Sequence, residues 1–159
     1  MLEFVKTEPG DEIIVVEGYF AVTPKQMFEA WTNPEIIKKW FGRKENSLHS
    51  AEVDLCKDGA WRFLVSSDDE KTVGFEGAYI EIETDRKLVF SWSRTITFAN
   101  GEKELSPASR VEVVFSPHGS GTNVVLHHSS IQSEDERTGF SGGWNMTFGS
   151  LARLFADQE

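Results

Sequence analysis

Large apolar side chains recur at steps of four, four, three and four near the end of the chain, at Phe140, Trp144, Phe148, Leu151 and Phe155. That spacing places all five on one stripe of a helix. A stripe so heavy in rings needs a concave apolar partner, and the middle of the chain supplies one in a period of two. Ile14, Val16 and Phe20 share a parity and predict a strand over 11–21, preceded by a loose tail over 1–10. Helix signals follow at once. Thr23 caps, Pro24 takes the first helical position, Gln26 completes a capping box, and Val22 with Met27 can staple the entry of a helix from Pro24 to Trp31. The device restarts at Asn33-Pro34, with Glu35 in the first turn. This second helix runs through Ile36, Ile37 and Trp40 to Phe41, and Gly42 closes it.

After Gly42 the alternation resumes. Val53 and Leu55, then Trp61, Phe63 and Val65, form a hairpin about the turn Lys57-Asp58-Gly59. Residues 66–71 are a polar turn. Over 73–83 Phe75 and Tyr79 take one parity and Ile80 and Ile82 the other, a strand covered on both faces. Leu88, Phe90, Trp92, Arg94, Ile96 and Phe98 share a face up to the turn Asn100-Gly101, and Arg94 is the exception in that row. Residues 102–109 read as a polar loop. Val111, Val113 and Phe115, the turn 117–121, and Val124, Leu126 and His128 make a last hairpin. The acidic stretch 132–138 enters the terminal helix, with Ser133 as its cap.

Sequential strands with segregated helices define an α+β fold: a curved antiparallel sheet of six to seven strands around the long C-terminal helix, with two short helices after the first strand. Residues 11–159 are expected to form a single domain. At 159 residues the chain can remove roughly 70% of its unfolded surface from water. Twelve Phe and five Trp make a core of large rings, which pack irregularly around a pocket. A formal charge of −10 repels nucleic-acid phosphates and anionic membranes, so neither is an expected partner. Cys56 is the only cysteine, which excludes an internal disulfide and a thiolate metal cluster and suits a reducing compartment. With no signal peptide and no apolar run of about 20 residues, the expected location is cytoplasmic.

Specific residues carry a resemblance. Val22-Thr23-Pro24, Phe28, Ala30-Trp31-Thr32-Asn33-Pro34 and Trp40-Phe41-Gly42, followed by 86–92 (RKLVFSW), Gly121-Thr122, Leu126, His128-Ser129 and Gly143-Trp144, resemble the activator of heat-shock-protein-90 ATPase homologue family. The likeness spans about residues 12 to 156. It implies the helix-grip fold of the START-like and birch-pollen-allergen-like (SRPBCC) superfamily, with a cavity between sheet and long helix for an apolar or amphipathic small molecule. Family members often carry a second tryptophan and a proline near Gly42, where this chain has Phe41 and Arg43.

The candidate ligand-binding residues are Trp40, Phe63, Phe75, Tyr79, Phe90, Trp92, Arg94, His128, Trp144 and Phe148. Their aromatic rings suit either a pocket wall or plain core. Arg94 can pair with a ligand carboxylate, stack on a flat ring system, or bridge to Glu102 or Glu104. His127 and His128 point to opposite faces of a strand and cannot chelate one ion; the parity of Val124 and Leu126 turns His128 inward, as a hydrogen-bonded wall residue or as the one candidate acid/base group. No metal site and no cofactor are expected. Gly139-Phe140-Ser141-Gly142-Gly143 matches a nucleophile elbow, but that motif needs a preceding buried strand and a downstream acid and histidine, whereas an acidic loop precedes it and only sixteen residues follow. The runs Asp68-Asp69-Glu70 and Glu134-Asp135-Glu136 read as solvated turns or as a charged rim.

Three functions fit. The first is a module that binds a small hydrophobic or amphipathic molecule. The second is a cyclase or hydrolase using His128 with Arg94 or Tyr79. The third is a chaperone-ATPase regulator acting through protein contacts; a homodimer is compatible with each. Gly139, Gly142, Gly143 and Gly149 interrupt the stripe at about 1 kcal/mol each, which marks the first turns around Gly142-Gly143-Trp144 as a soft gate and 151–155 as the anchor.

Overall fold

The computed structural model describes residues 13–41, 48–67 and 69–156, so the tail over 1–10, the cap at Gly42, and Arg43 and Asp68 lie outside the described residues. The elements in chain order are β1 (Ile14–Phe20), α1 (Pro24–Thr32), α2 (Pro34–Trp40), β2 (Ser50–Val53), β3 (Ala60–Ser67), β4 (Lys71–Glu83), β5 (Lys87–Phe98), β6 (Lys103–Leu105), β7 (Ser109–His118), β8 (Gly121–Ser129) and α3 (Glu134–Ala156). The strands form one antiparallel sheet of order β1-β8-β7-β5-β4-β3-β2, with β6 paired to the far end of β5. This is the helix-grip arrangement, with eight strands among the described residues.

The caps are those the local sequence dictates. Thr23 Oγ1 accepts the Gln26 N–H at 3.2 Å while Gln26 Oε1 accepts the Thr23 N–H at 2.9 Å, and Asn33 Oδ1 accepts the Glu35 N–H at 3.0 Å. Phe41 is the C-cap of α2, in extended backbone rather than helix. Ser133 Oγ accepts the Glu136 N–H, so the run Glu134-Asp135-Glu136 is the first turn of α3, where acidic side chains meet the positive end of the macrodipole, and not a solvated turn.

Three details of the strands differ from the alternation. Leu55 is 42% exposed and lies beyond β2, because Asp58 takes the left-handed conformation (φ 68°) and the turn begins earlier. The stretch 102–109 contains β6, whose three residues are all exposed and carry no apolar pattern. In β4 the register breaks between Tyr79 and Glu81. Ile80 is the extra residue of a bulge and is 43% exposed, and the phase slip returns Ile82 to the face of Tyr79, opposite Leu88. The strand is therefore not apolar on both faces; it changes phase once.

The last turns of α3 press on β1. The Phe148 and Phe155 rings lie 6.1 and 6.4 Å from Phe20, and α3 makes its close backbone approaches to β1 and α2. The helix thus leans toward one edge of the sheet, and its first turns stand off from β4 and β5. No helix among the described residues is long and apolar enough to cross a membrane.

Candidate functional site

That stand-off opens a cleft of about 370 Å³ between the first half of α3 and the strands β3, β4 and β5. Val65, Val73, Phe75 and Trp92 form its sheet wall; Gly139, Phe140, Gly143, Trp144 and Thr147 form its helix wall, and Phe41 closes one end. Phe75 stacks on Trp92 with ring centres 4.4 Å apart and planes 28° apart. The rim is charged on both sides, with Arg94 on β5 and Asp135 and Glu136 on the first turn of α3. No acidic side chain among the described residues lies within ion-pairing distance of Arg94, so it does not bridge to Glu102 or Glu104.

Deeper in, a void of about 20 Å³ lies among Trp31, Trp40, Trp61, Phe63, Tyr79, Phe90, Trp92 and Trp144. It has room for about one water molecule. Phe41, Trp92 and Trp144 border both spaces and form the wall between them.

The sequence-derived residues therefore separate into three sets. Phe75, Trp92, Arg94 and Trp144 meet at the cleft. Trp40, Phe63, Tyr79 and Phe90 surround only the inner void. Phe148 and His128 border neither; Phe148 packs between Phe20 and Trp31 as plain core. Phe140 was visible in the helical stripe and Val65 and Val73 in the strand alternation, but nothing in their spacing distinguished a cleft from a core. Thr147 gave no signal at all.

His128 is fully buried, and its two nitrogens are both used. The Trp144 indole donates to Nδ1 at 3.0 Å, and Nε2 lies 2.7 Å from Ser109 Oγ, which in turn donates to the Trp92 carbonyl at 3.1 Å. An indole N–H can only donate, so Nδ1 must be the acceptor and Nε2 must carry the proton. The chain of bonds then runs one way, from Trp144 through His128 and Ser109 to Trp92. The Phe140 ring covers the imidazole, stacked at 5.1 Å. Burial holds the His128 pKa at about 3, far below the ordinary 6.5, so the ring is neutral at neutral pH and has no free nitrogen with which to move a proton. Burial likewise pushes the Tyr79 hydroxyl well above its usual range. The elbow-like stretch 139–143 lies inside α3 and has none of the strand-to-helix geometry that exposes a nucleophile.

Three solved structures share this fold. A protein from Rhodobacter sphaeroides aligns with TM-score 0.74 at 17% identity over 99% of both chains. CalU16 from Micromonospora echinospora aligns with TM-score 0.65 at 21% identity over 99% of this chain and 85% of its own. The AHSA1 protein from Silicibacter pomeroyi aligns with TM-score 0.74 at 17% identity over 92% and 99%. None of the curated proteins matches this chain in sequence. The family model described as activator of Hsp90 ATPase homolog 1-like protein matches residues 21–156, from the end of β1 to the last residue of α3, and the chain belongs to that family.

Proposed function

We propose that the protein binds a small amphipathic molecule in the cleft between α3 and β3–β5. The cleft itself carries this assignment. Its volume of about 370 Å³ falls within the roughly 300 to 1,000 Å³ of small-molecule sites, and its walls are apolar and aromatic with a few charged groups at the mouth. A ring system would lie against the aromatic walls formed by Phe75, Trp92, Phe140 and Trp144, with its polar end at Arg94 or at Asp135 and Glu136. Gly139 and Gly143 keep the helix wall open, since a Cβ at either position would meet nothing within 4 Å.

Proton-transfer chemistry at His128 is disfavoured, because both of its nitrogens are committed. A role at a chaperone ATPase rests on the family's name and on no feature of the described surface. The test is extraction of the purified protein followed by mass spectrometry, together with titration of two- and three-ring aromatic compounds by tryptophan fluorescence. Saturable quenching that is weakened in Gly143→Leu, whose side chain intrudes on the cleft, is expected. Absence of any saturable binder would overturn the assignment.

A further inference from the structure

Five tryptophans lie in the described residues, and three of their indole N–H groups have acceptors: Trp40 bonds the Ala30 carbonyl, Trp61 the Ser91 carbonyl and Trp144 His128. Trp31 and Trp92 have none, although they are only 6% and 4% exposed. Both border the inner void, and Trp92 also borders the cleft. A buried N–H without an acceptor is costly, and nine in ten or more of such groups find one. The Trp92 nitrogen is itself closed to solvent, so a ligand in the cleft reaches it by displacing a neighbouring ring, and Phe140 faces Trp92 at 5.9 Å.

We infer that the cleft selects ligands carrying an uncharged hydrogen-bond acceptor, a ketone or quinone carbonyl on a ring system, which takes the Trp92 indole N–H. This rests on the cleft being a ligand site. The acceptor is uncharged because no Lys, Arg or His side chain lines the void to pair with an anion, and an unpaired charge is not tolerated in such surroundings. It is an acceptor because the indoles only donate, so a ligand amine would set donor against donor. The charged rim then sets only the orientation of the ligand's outer end.

The test compares 1-tetralone with tetralin, which differ only by a carbonyl in place of a methylene, in calorimetric titrations of the intact protein. In a purely apolar cleft the hydrocarbon binds more tightly, because the ketone loses its hydration. Tetralone is expected to bind at least tenfold more tightly, and Trp92→Phe, which keeps a ring but removes the N–H, is expected to abolish that preference. Independently of any variant, one indole N–H resonance of the wild-type protein should move downfield with tetralone and not with tetralin. Equal or tighter binding of tetralin, or a preference unchanged in Trp92→Phe, overturns the carbonyl selection while leaving the cleft a binding site. Binding of neither compound by a protein that also fails the wider aromatic titration overturns both.

Discussion

The neutral, buried His128 makes stability depend on pH in a way that one substitution can isolate. Its pKa is about 3 in the folded protein against 6.5 in the unfolded chain. Between those values the unfolded state binds the proton and the folded state does not, so stability is complete above pH 6.5 and falls as the pH drops toward 3. The loss from pH 7 to pH 5 follows from the two values. At pH 7 the unfolded histidine is about one quarter protonated; at pH 5 it is nearly fully protonated while the folded one remains neutral. The difference is about 2 kcal/mol at the exchange rate of 1.36 kcal/mol per pH unit. Carboxylates and the other histidines add their own dependence, and His128→Gln removes only this one. The glutamine amide can still accept from Trp144 and donate to Ser109. Urea unfolding of both proteins at pH 7 and pH 5 should show the wild type losing about 2 kcal/mol more than the variant over that interval. Parallel losses would refute a neutral His128 locked between the Trp144 donor and the Ser109 acceptor.

Other parts of the structure make equally direct claims. Gly142 is an exposed helical residue where a Cβ meets nothing, so Gly142→Ala should stabilise by about 0.4 to 1 kcal/mol and raise Tm by about 1 to 4 °C. Gly143→Ala should stabilise similarly in thermal melts yet weaken ligand binding, because its methyl group enters the cleft. Gly77 is the opposite case: a Cβ there would lie 1.9 Å from the Ser91 carbonyl oxygen, and Gly77→Ala should cost about 3 kcal/mol or more in urea unfolding. Amide hydrogen exchange should be faster over residues 139–143 than over 147–155, and equal protection would contradict a soft entrance to α3.

The helices were legible in the chain because their ends are chemical. Thr23-Pro24, Asn33-Pro34 and Ser133 each satisfy specific orphan N–H groups, and those side chains are where the helices begin. The strand faces were legible wherever alternation ran unbroken, as in β5 and β7. They were not legible at Ile80, because a bulge adds one residue and a one-residue slip looks in sequence like burial on both sides. β6 left no trace because it is short, exposed and held by backbone pairing to β5 and by the ion pair of Lys103 with Glu76 on β4, none of which needs an apolar pattern. The cleft was half legible. Stripe and parity tell which side chains face inward, so Phe75, Trp92 and Trp144 could be named, but they do not tell how far the helix stands from each strand. That distance is set by Phe148 and Phe155 packing on Phe20 at the β1 edge, a contact between residues more than a hundred positions apart.

Those contacts also redraw the boundary of the soft part of α3. The glycines at 139, 142 and 143 loosen the helix through its third turn, and spacing alone extends that looseness to Trp144. Trp144 is instead the best-held residue of the first half: it is 3% exposed, bonded to His128, and set 5.0 Å from the Trp92 ring and 6.0 Å from Phe41. Through His128 and Ser109 its indole is tied to the backbone of β5 itself. Movement at the mouth of the cleft therefore falls to the turns before Trp144, which carry Phe140, Asp135 and Glu136. Phe140 is the side chain that such a movement displaces, and it is the one that stacks on His128 and faces Trp92 at 5.9 Å. On the proposed reading, a ligand that took its place would cover the imidazole as Phe140 does, leave the hydrogen-bond chain behind it intact, and lie against Trp92, whose N–H has no partner. The polar chain is thus a fixed backing against which the aromatic cleft can open.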